Sequence, residues 1–168
     1  NEYLPPADRV DTLAWVNEFS NLVVTRTFSK IHGLAGLRVG YGVTTAEIAD
    51  LMHRVRQPFN VNNLALAGAI AALDDHAFIA ESYDNNRRGM EQIVAGLKRL
   101  GLEHIPSHGN FVTFKAGEAA KVNQALLKQG VIVRPIAGYA LPEHLRVTIG
   151  LESENARFLE ALEKALAG

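Results

Sequence analysis

The sequence predicts an α/β fold that runs on into a smaller α+β unit. Three features lead there. The β-branched run from Leu22 to Phe28 reads as a largely buried strand, and a glycine-punctuated link carries it to a second short strand from Val39 to Val43. Helical spacing then dominates as far as Leu100. Beyond Gly101 the pattern changes to short strands interleaved with helices. The change places a domain boundary inside the long helical stretch, so that 1–84 forms an α/β unit and 85–168 a compact α+β unit.

Leu13, Val16 and Phe19 fall at helical spacing and predict a short helix from Asp11 to Phe19. Thr45 is placed to cap a helix from Ala46 to about Arg56, which Pro58 stops. An alanine-rich helix from about Asn63 to Leu73 suits close packing. A longer helix is expected from about Ala77 to Leu100, closed by Gly101. A strand follows from Asn110 to Lys115, then a helix from Glu118 to Gln129 with Gly130 at its end. Strands are expected from Val131 to Arg134 and from Leu145 to Ile149, with Gly138-Tyr139 at the hairpin tip between them. Ser153 and Asn155 offer the N-cap of a last helix that reaches Leu166.

A net charge of −1 leaves no broad basic field for nucleic acid or an acidic membrane. Cysteine is absent, which excludes disulfides, thiolate metal sites and thiol catalysis and is compatible with a cytoplasmic protein. No apolar run reaches the roughly 18–20 residues that a membrane span requires. The opening Asn1-Glu2-Tyr3-Leu4-Pro5-Pro6 has neither an initiator methionine nor a secretory leader pattern. A piece of a longer protein is therefore expected, although a complete protein cut from a tag would open the same way.

The chemistry concentrates between Thr25 and Gly42. A lysine is ordinarily a solvated surface charge. Lys30, however, leaves an apolar strand, follows Thr27 and Ser29, and precedes Arg38 across Gly33-Leu34-Ala35-Gly36. An amine so placed can attack a carbonyl, and a nearby cation with partial burial would favour its free form. Arg38, between Gly36 and Gly40, can approach an anion closely; its structural alternative is an ion pair within a turn. An amine suited to an aldehyde, beside hydroxyls and a guanidinium suited to a phosphate, matches the two handles of pyridoxal 5′-phosphate. Competing motifs are missing. Gly40-Tyr41-Gly42 lacks the third glycine of a dinucleotide fingerprint, and no phosphate loop or Gly-x-Ser-x-Gly elbow occurs. His104 and His108 are separated by Pro106 and cannot share a helix face as zinc ligands. His32 is expected to pack or support rather than catalyse.

Arg134 and Arg146 each interrupt an apolar strand. An unpaired buried guanidinium is costly, so each should meet an acid such as Glu143 or Glu152, or face a cleft. Two forked guanidiniums on one cleft suit a substrate with two anionic groups.

The lysine segment resembles the pattern S/T-x-S-K-x-x-G-L-A-G-x-R-x-G of the fold-type-I pyridoxal-phosphate aminotransferases. Arg134-Pro135 with Gly138-Tyr139 and the run from Leu141 to Gly150 is similar to the small domain of the histidinol-phosphate aminotransferases. The likeness runs along essentially the whole chain but covers only the later part of the family's sequence. It implies the end of the large pyridoxal-phosphate-binding α/β/α domain followed by the small C-terminal domain. It makes Lys30 the Schiff-base lysine and proton carrier, and puts Thr27, Ser29 and Arg38 on the cofactor phosphate. It puts Arg146 on the substrate α-carboxylate and Arg134 on the anionic far end.

The implied reaction is transamination of histidinol phosphate with 2-oxoglutarate in a cytoplasmic homodimer. Small molecules, not nucleic acid or membrane, would be the partners. The family's aspartate at the pyridine nitrogen, its stacking aromatic and the asparagine near the ring oxygen have no match here. This stretch alone is therefore expected to be inactive and the parent protein to be the enzyme. Asn60-Val61-Asn62-Asn63 also follows the family, with a polar loop cap as the simpler reading. An aromatic aminotransferase or a decarboxylase of a phosphorylated amino acid would keep the same cofactor. A reading of another class is a non-catalytic folding or oligomerisation domain, in which Lys30 forms no imine.

Overall fold

The β-branched run near the N-terminus yields a shorter strand than its composition suggests. Strand β1 is Val24–Thr27 and pairs antiparallel with β2, Gly40–Val43, so that Thr27 stands opposite Gly40. The computed structural model describes residues 2–167, which divide into one unit through Ser82 and a second from Tyr83 onward. In the first unit the helix expected from Asp11 to Phe19 contracts to a 3-10 turn, Ala14–Asn17. Leu13, Trp15 and Phe19 stay exposed, so no buried apolar face extends that turn. Helix α1 is Ala46–Val55; Thr45 occupies its N-cap position without a side-chain cap bond. Helix α2 is Asn63–Asp74 and is capped by Asn62, whose Oδ1 accepts from the Ala65 N–H at 2.8 Å. Phe28, Val39, Ala65 and Ala69 form the small core here, with Leu34 and Leu37 against it.

Helix α3, His76–Arg99, carries the chain across the division. The second unit then adds β3 (His104–Ile105), β4 (Phe111–Lys115), α4 (Ala119–Lys128), β5 (Arg134–Pro135), β6 (His144–Thr148) and α5 (Glu152–Ala167). The four strands form an antiparallel sheet in the order β3-β4-β6-β5. Alternation along β4 and β6 sends Val112, Phe114, Leu145 and Val147 into a core with Ile93, Leu97, Leu126, Phe158 and Leu162. Phe111, Thr113 and Arg146 take the other face.

Four expectations change here. Strand β3 was not foreseen, being only two residues long. The strand expected from Val131 to Arg134 shrinks to Arg134–Pro135 at the sheet edge, where a proline lacking an N–H is tolerated. The tip between the arginine strands is a 3-10 turn, Ala137–Tyr139. Ser153 lies inside α5; the start of that helix is tied instead by Asn155, whose Oδ1 accepts from Gly150 N at 2.9 Å, and by Glu154, whose Oε2 accepts from Leu151 N at 2.8 Å. No single helix among the described residues is long and apolar enough to cross a membrane.

Candidate functional site

Strand β1 ends by burying Phe28, only 3% exposed, which anchors the turn that follows. The Phe28 N–H donates to the Val39 carbonyl at 3.2 Å, closing the ladder one step beyond the paired strands. The loop from Ser29 to Arg38 is thereby tied at its base. Inside it, Leu34 N donates to Phe28 O and Gly33 N to Lys30 O, both at 2.9 Å, and Leu37 N donates to Leu34 O at 3.1 Å. Gly33 sits at φ 69°, a conformation that glycine adopts without strain.

Thr27 and Ser29 are half-buried, and the Thr27 hydroxyl accepts from Ser29 N at 3.1 Å. Lys30 is exposed and has no ion pair among the described residues. The partial burial expected for it is not found within the first unit, because the side chain springs from a bend after the strand has ended. Arg38 adopts left-handed backbone at φ 54°, and its guanidinium donates to the Ala35 carbonyl at 2.7 Å. That bond uses one donor and no charge, so the structural alternative of an ion pair is not what holds Arg38. The flanking glycines differ in purpose. A Cβ on Gly36 would meet open space, whereas one on Gly40 would lie 2.7 Å from the Arg26 carbonyl oxygen. Gly40 is needed by the strand pairing itself. His32 stacks 4.9 Å from Phe28, a packing role, with its Nδ1 buried and unpartnered.

The donor set of this loop is an amine, two hydroxyls and a guanidinium, with no carboxylate among the described residues paired to either cation. It fits a ligand carrying both an aldehyde and a phosphate, and so fits pyridoxal 5′-phosphate. Among the described residues no cluster of histidine and acidic side chains could hold a metal ion.

In the second unit, β5 and β6 place Arg134 directly opposite Arg146, and β4 places Thr113 opposite Arg146 on its other side. Neither arginine has an ion pair among the described residues, and Glu143 is bound at 3.3 Å to Lys115 instead. Like charges directly across a sheet are destabilising, and a bound anion would relieve them. The Arg146 Cζ lies over the Phe111 ring, 4.6 Å from its centroid. Phe111 was not singled out from the sequence. Its signal was a large aromatic ring alternating with Thr113 and Lys115, on the side of β4 turned away from the core. Asn62 fulfils the simpler reading of the Asn60–Asn63 segment, as a cap.

The aminotransferase class I and II family matches residues 3–162. The chain belongs to that family. It is 78% identical over 166 residues to histidinol-phosphate aminotransferase 1 of Dechloromonas aromatica, covering 99% of this chain and 46% of that protein. The chain spans about half the length of the curated relatives it matches. Among solved structures, the histidinol-phosphate aminotransferase of Sinorhizobium meliloti, in complex with pyridoxal-5′-phosphate, superposes with a TM-score of 0.89 at 27% identity, over 99% of this chain and 46% of its own. The L-threonine-O-3-phosphate decarboxylase of Porphyromonas gingivalis gives 0.81 at 25% identity, over 95% of this chain and 51% of its own. The fold is that of the matching part of the fold-type-I aminotransferases.

Proposed function

We propose that the whole protein carrying this chain is a cytoplasmic, homodimeric, pyridoxal-phosphate-dependent aminotransferase. Its substrates are histidinol phosphate and 2-oxoglutarate, and it serves histidine biosynthesis. Residues 1–84 close the cofactor domain and 85–168 form the small domain. The observation that carries the reading is the tied loop from Thr27 to Arg38, which gathers an amine and phosphate donors without neutralising either cation. The 78% identity to a histidinol-phosphate aminotransferase supports the choice of substrate.

Bound at this loop, the cofactor would supply an aldehyde and a ring that stabilises negative charge at the substrate α-carbon. Thr27, Ser29 and Arg38 hold its phosphate through charge-assisted hydrogen bonds. The amine of Lys30 moves the proton at the α-carbon, first as base and then as acid. Arg146 takes the substrate α-carboxylate and Arg134 the anionic far end, which fixes the orientation of the bond to be broken.

Borohydride reduction of the whole protein with pyridoxal 5′-phosphate, followed by peptide mass mapping, tests this. A pyridoxyl adduct confined to Lys30 is the expected outcome. A folded protein with no adduct there would overturn the mechanism and leave a folding or oligomerisation role. The likeness to a phosphothreonine decarboxylase keeps one second reading open to test. Release of carbon dioxide from a phosphorylated amino acid, with no amino transfer to 2-oxoglutarate, would favour it.

A further inference from the structure

We infer that Phe111 is a positioning residue for the carboxylate-binding arginine of the small domain. It holds the Arg146 guanidinium ready for an anion without occupying a hydrogen-bond donor or cancelling charge. The inference rests on the proposed role of Arg146. Arg146 is half-buried on β6, and its register neighbours on the adjoining strands are Thr113 and Arg134. Neither is an acid. An arginine in an apolar strand needs some partner to fix its long side chain, since each freely rotating bond must otherwise be frozen when ligand binds. A carboxylate partner would fix it and at the same time block the edge that a substrate carboxylate must reach.

The aromatic face does otherwise. Phe111 is paired with Thr148, one diagonal step from Arg146, and its ring lies under Cζ at 4.6 Å. A guanidinium resting on a ring is attracted by the ring quadrupole and keeps its N–H groups for an acceptor. The ring is itself supported. Ile149 N donates to the Asn110 carbonyl at 2.9 Å, which secures the strand start, and the ring backs onto Gly109, where a Cβ would lie 3.4 Å from its edge. Gly109 is held in turn by the Ser107 hydroxyl, 3.1 Å from its N–H, and by the Asn86 amide, 3.2 Å from its carbonyl.

The test uses the pyridoxal-phosphate-loaded whole protein with maleate, an unreactive dicarboxylate, its dissociation constant read from cofactor absorbance. Phe111→Leu keeps an apolar side chain without a ring face and should weaken maleate about 2- to 30-fold. Phe111→Tyr should bind maleate like the parent. With substrates, Phe111→Leu should raise KM for 2-oxoglutarate while kcat changes less. Replacing Phe111 by mono-, di- and trifluorinated phenylalanine keeps the shape and drains the ring's negative face, so maleate binding should fall stepwise. A flat fluorination series in folded protein, or Leu and Tyr variants with equal dissociation constants, would overturn the inference. Arg146→Gln separates the two layers. If it leaves maleate binding unchanged, the role assigned to Arg146 fails; if it abolishes binding while the Phe111 variants do nothing, only the role of Phe111 fails.

Discussion

Lys30 stands exposed where β1 has ended, so what its neighbours contribute is position. Thr27 and Ser29 are locked to each other, and Arg38 donates to one backbone carbonyl and has no ion pair among the described residues. Arg38→Ala should therefore weaken pyridoxal 5′-phosphate by roughly 10- to 100-fold, the equivalent of losing charged hydrogen bonds worth about 1.5–3 kcal/mol. Equilibrium dialysis of the whole protein would measure it. Gly40 makes a different prediction. An added Cβ would strike backbone, the Arg26 carbonyl at 2.7 Å, which cannot move without breaking the strand pair. Gly40→Ala should destabilise by about 1–3 kcal/mol in urea unfolding, and should loosen the loop base with it.

At the scale of elements, α5 is fastened to the end of β6 by Asn155, only 2% exposed. Its side chain accepts from Gly150 N at 2.9 Å and donates to Gly150 O at 3.2 Å. Asn155→Ala would leave Gly150 N without its acceptor, while Gly150 O keeps the Asn85 amide at 3.3 Å, at a cost of about 1–3 kcal/mol by denaturant titration. Further along α5, the hydrogen bond and charge of Lys164 hold the Glu160 carboxyl below its ordinary range. A depressed folded-state pKa contributes stability above the unfolded value, and that contribution is lost as pH falls through the folded one. Glu160→Gln should therefore flatten the acid limb of the stability curve slightly and leave neutral pH nearly unchanged, because the pair is exposed.

Much of this was legible in the chain. Lys30, Thr27, Ser29 and Arg38 announce themselves by residue type and spacing, and α1 to α5 by periodicity and punctuation. Register was not legible, since no local signal says that Arg134 faces Arg146. Nor could spacing alone show that Phe111, 35 positions before Arg146 in the sequence, lies beneath it. The helix expected near Asp11 failed because periodicity counts apolar residues without asking whether anything covers them.

Across the molecule the two units are unequally built. The second has a continuous core from α3, α4, α5 and the sheet, whereas the first clusters Phe28, Val39, Ala65 and Ala69, with Val24 and Ile31 buried besides. In the first unit Val55, Leu64 and Ile70 are 82%, 79% and 66% exposed along α1 and α2. Hydrogen exchange on this chain alone should show slow amides in β4, β6 and α5 and faster ones through α1 and α2. Protection of α2 equal to that of β4 would contradict the difference. The exposed side chains also predict concentration-dependent association of the isolated chain, visible by light scattering.

The tied base of the loop makes its length as consequential as its sequence. Because Phe28 and Val39 are joined, the chain between Lys30 and Arg38 is a spacer of set reach, and in the proposed function its Lys30 end meets the aldehyde and its Arg38 end the phosphate. A single extra residue beside Gly36, where space is open, should be absorbed without unfolding. It would nevertheless throw the two ends out of step, giving a protein that still captures inorganic phosphate yet no longer fixes the aldehyde of the same molecule.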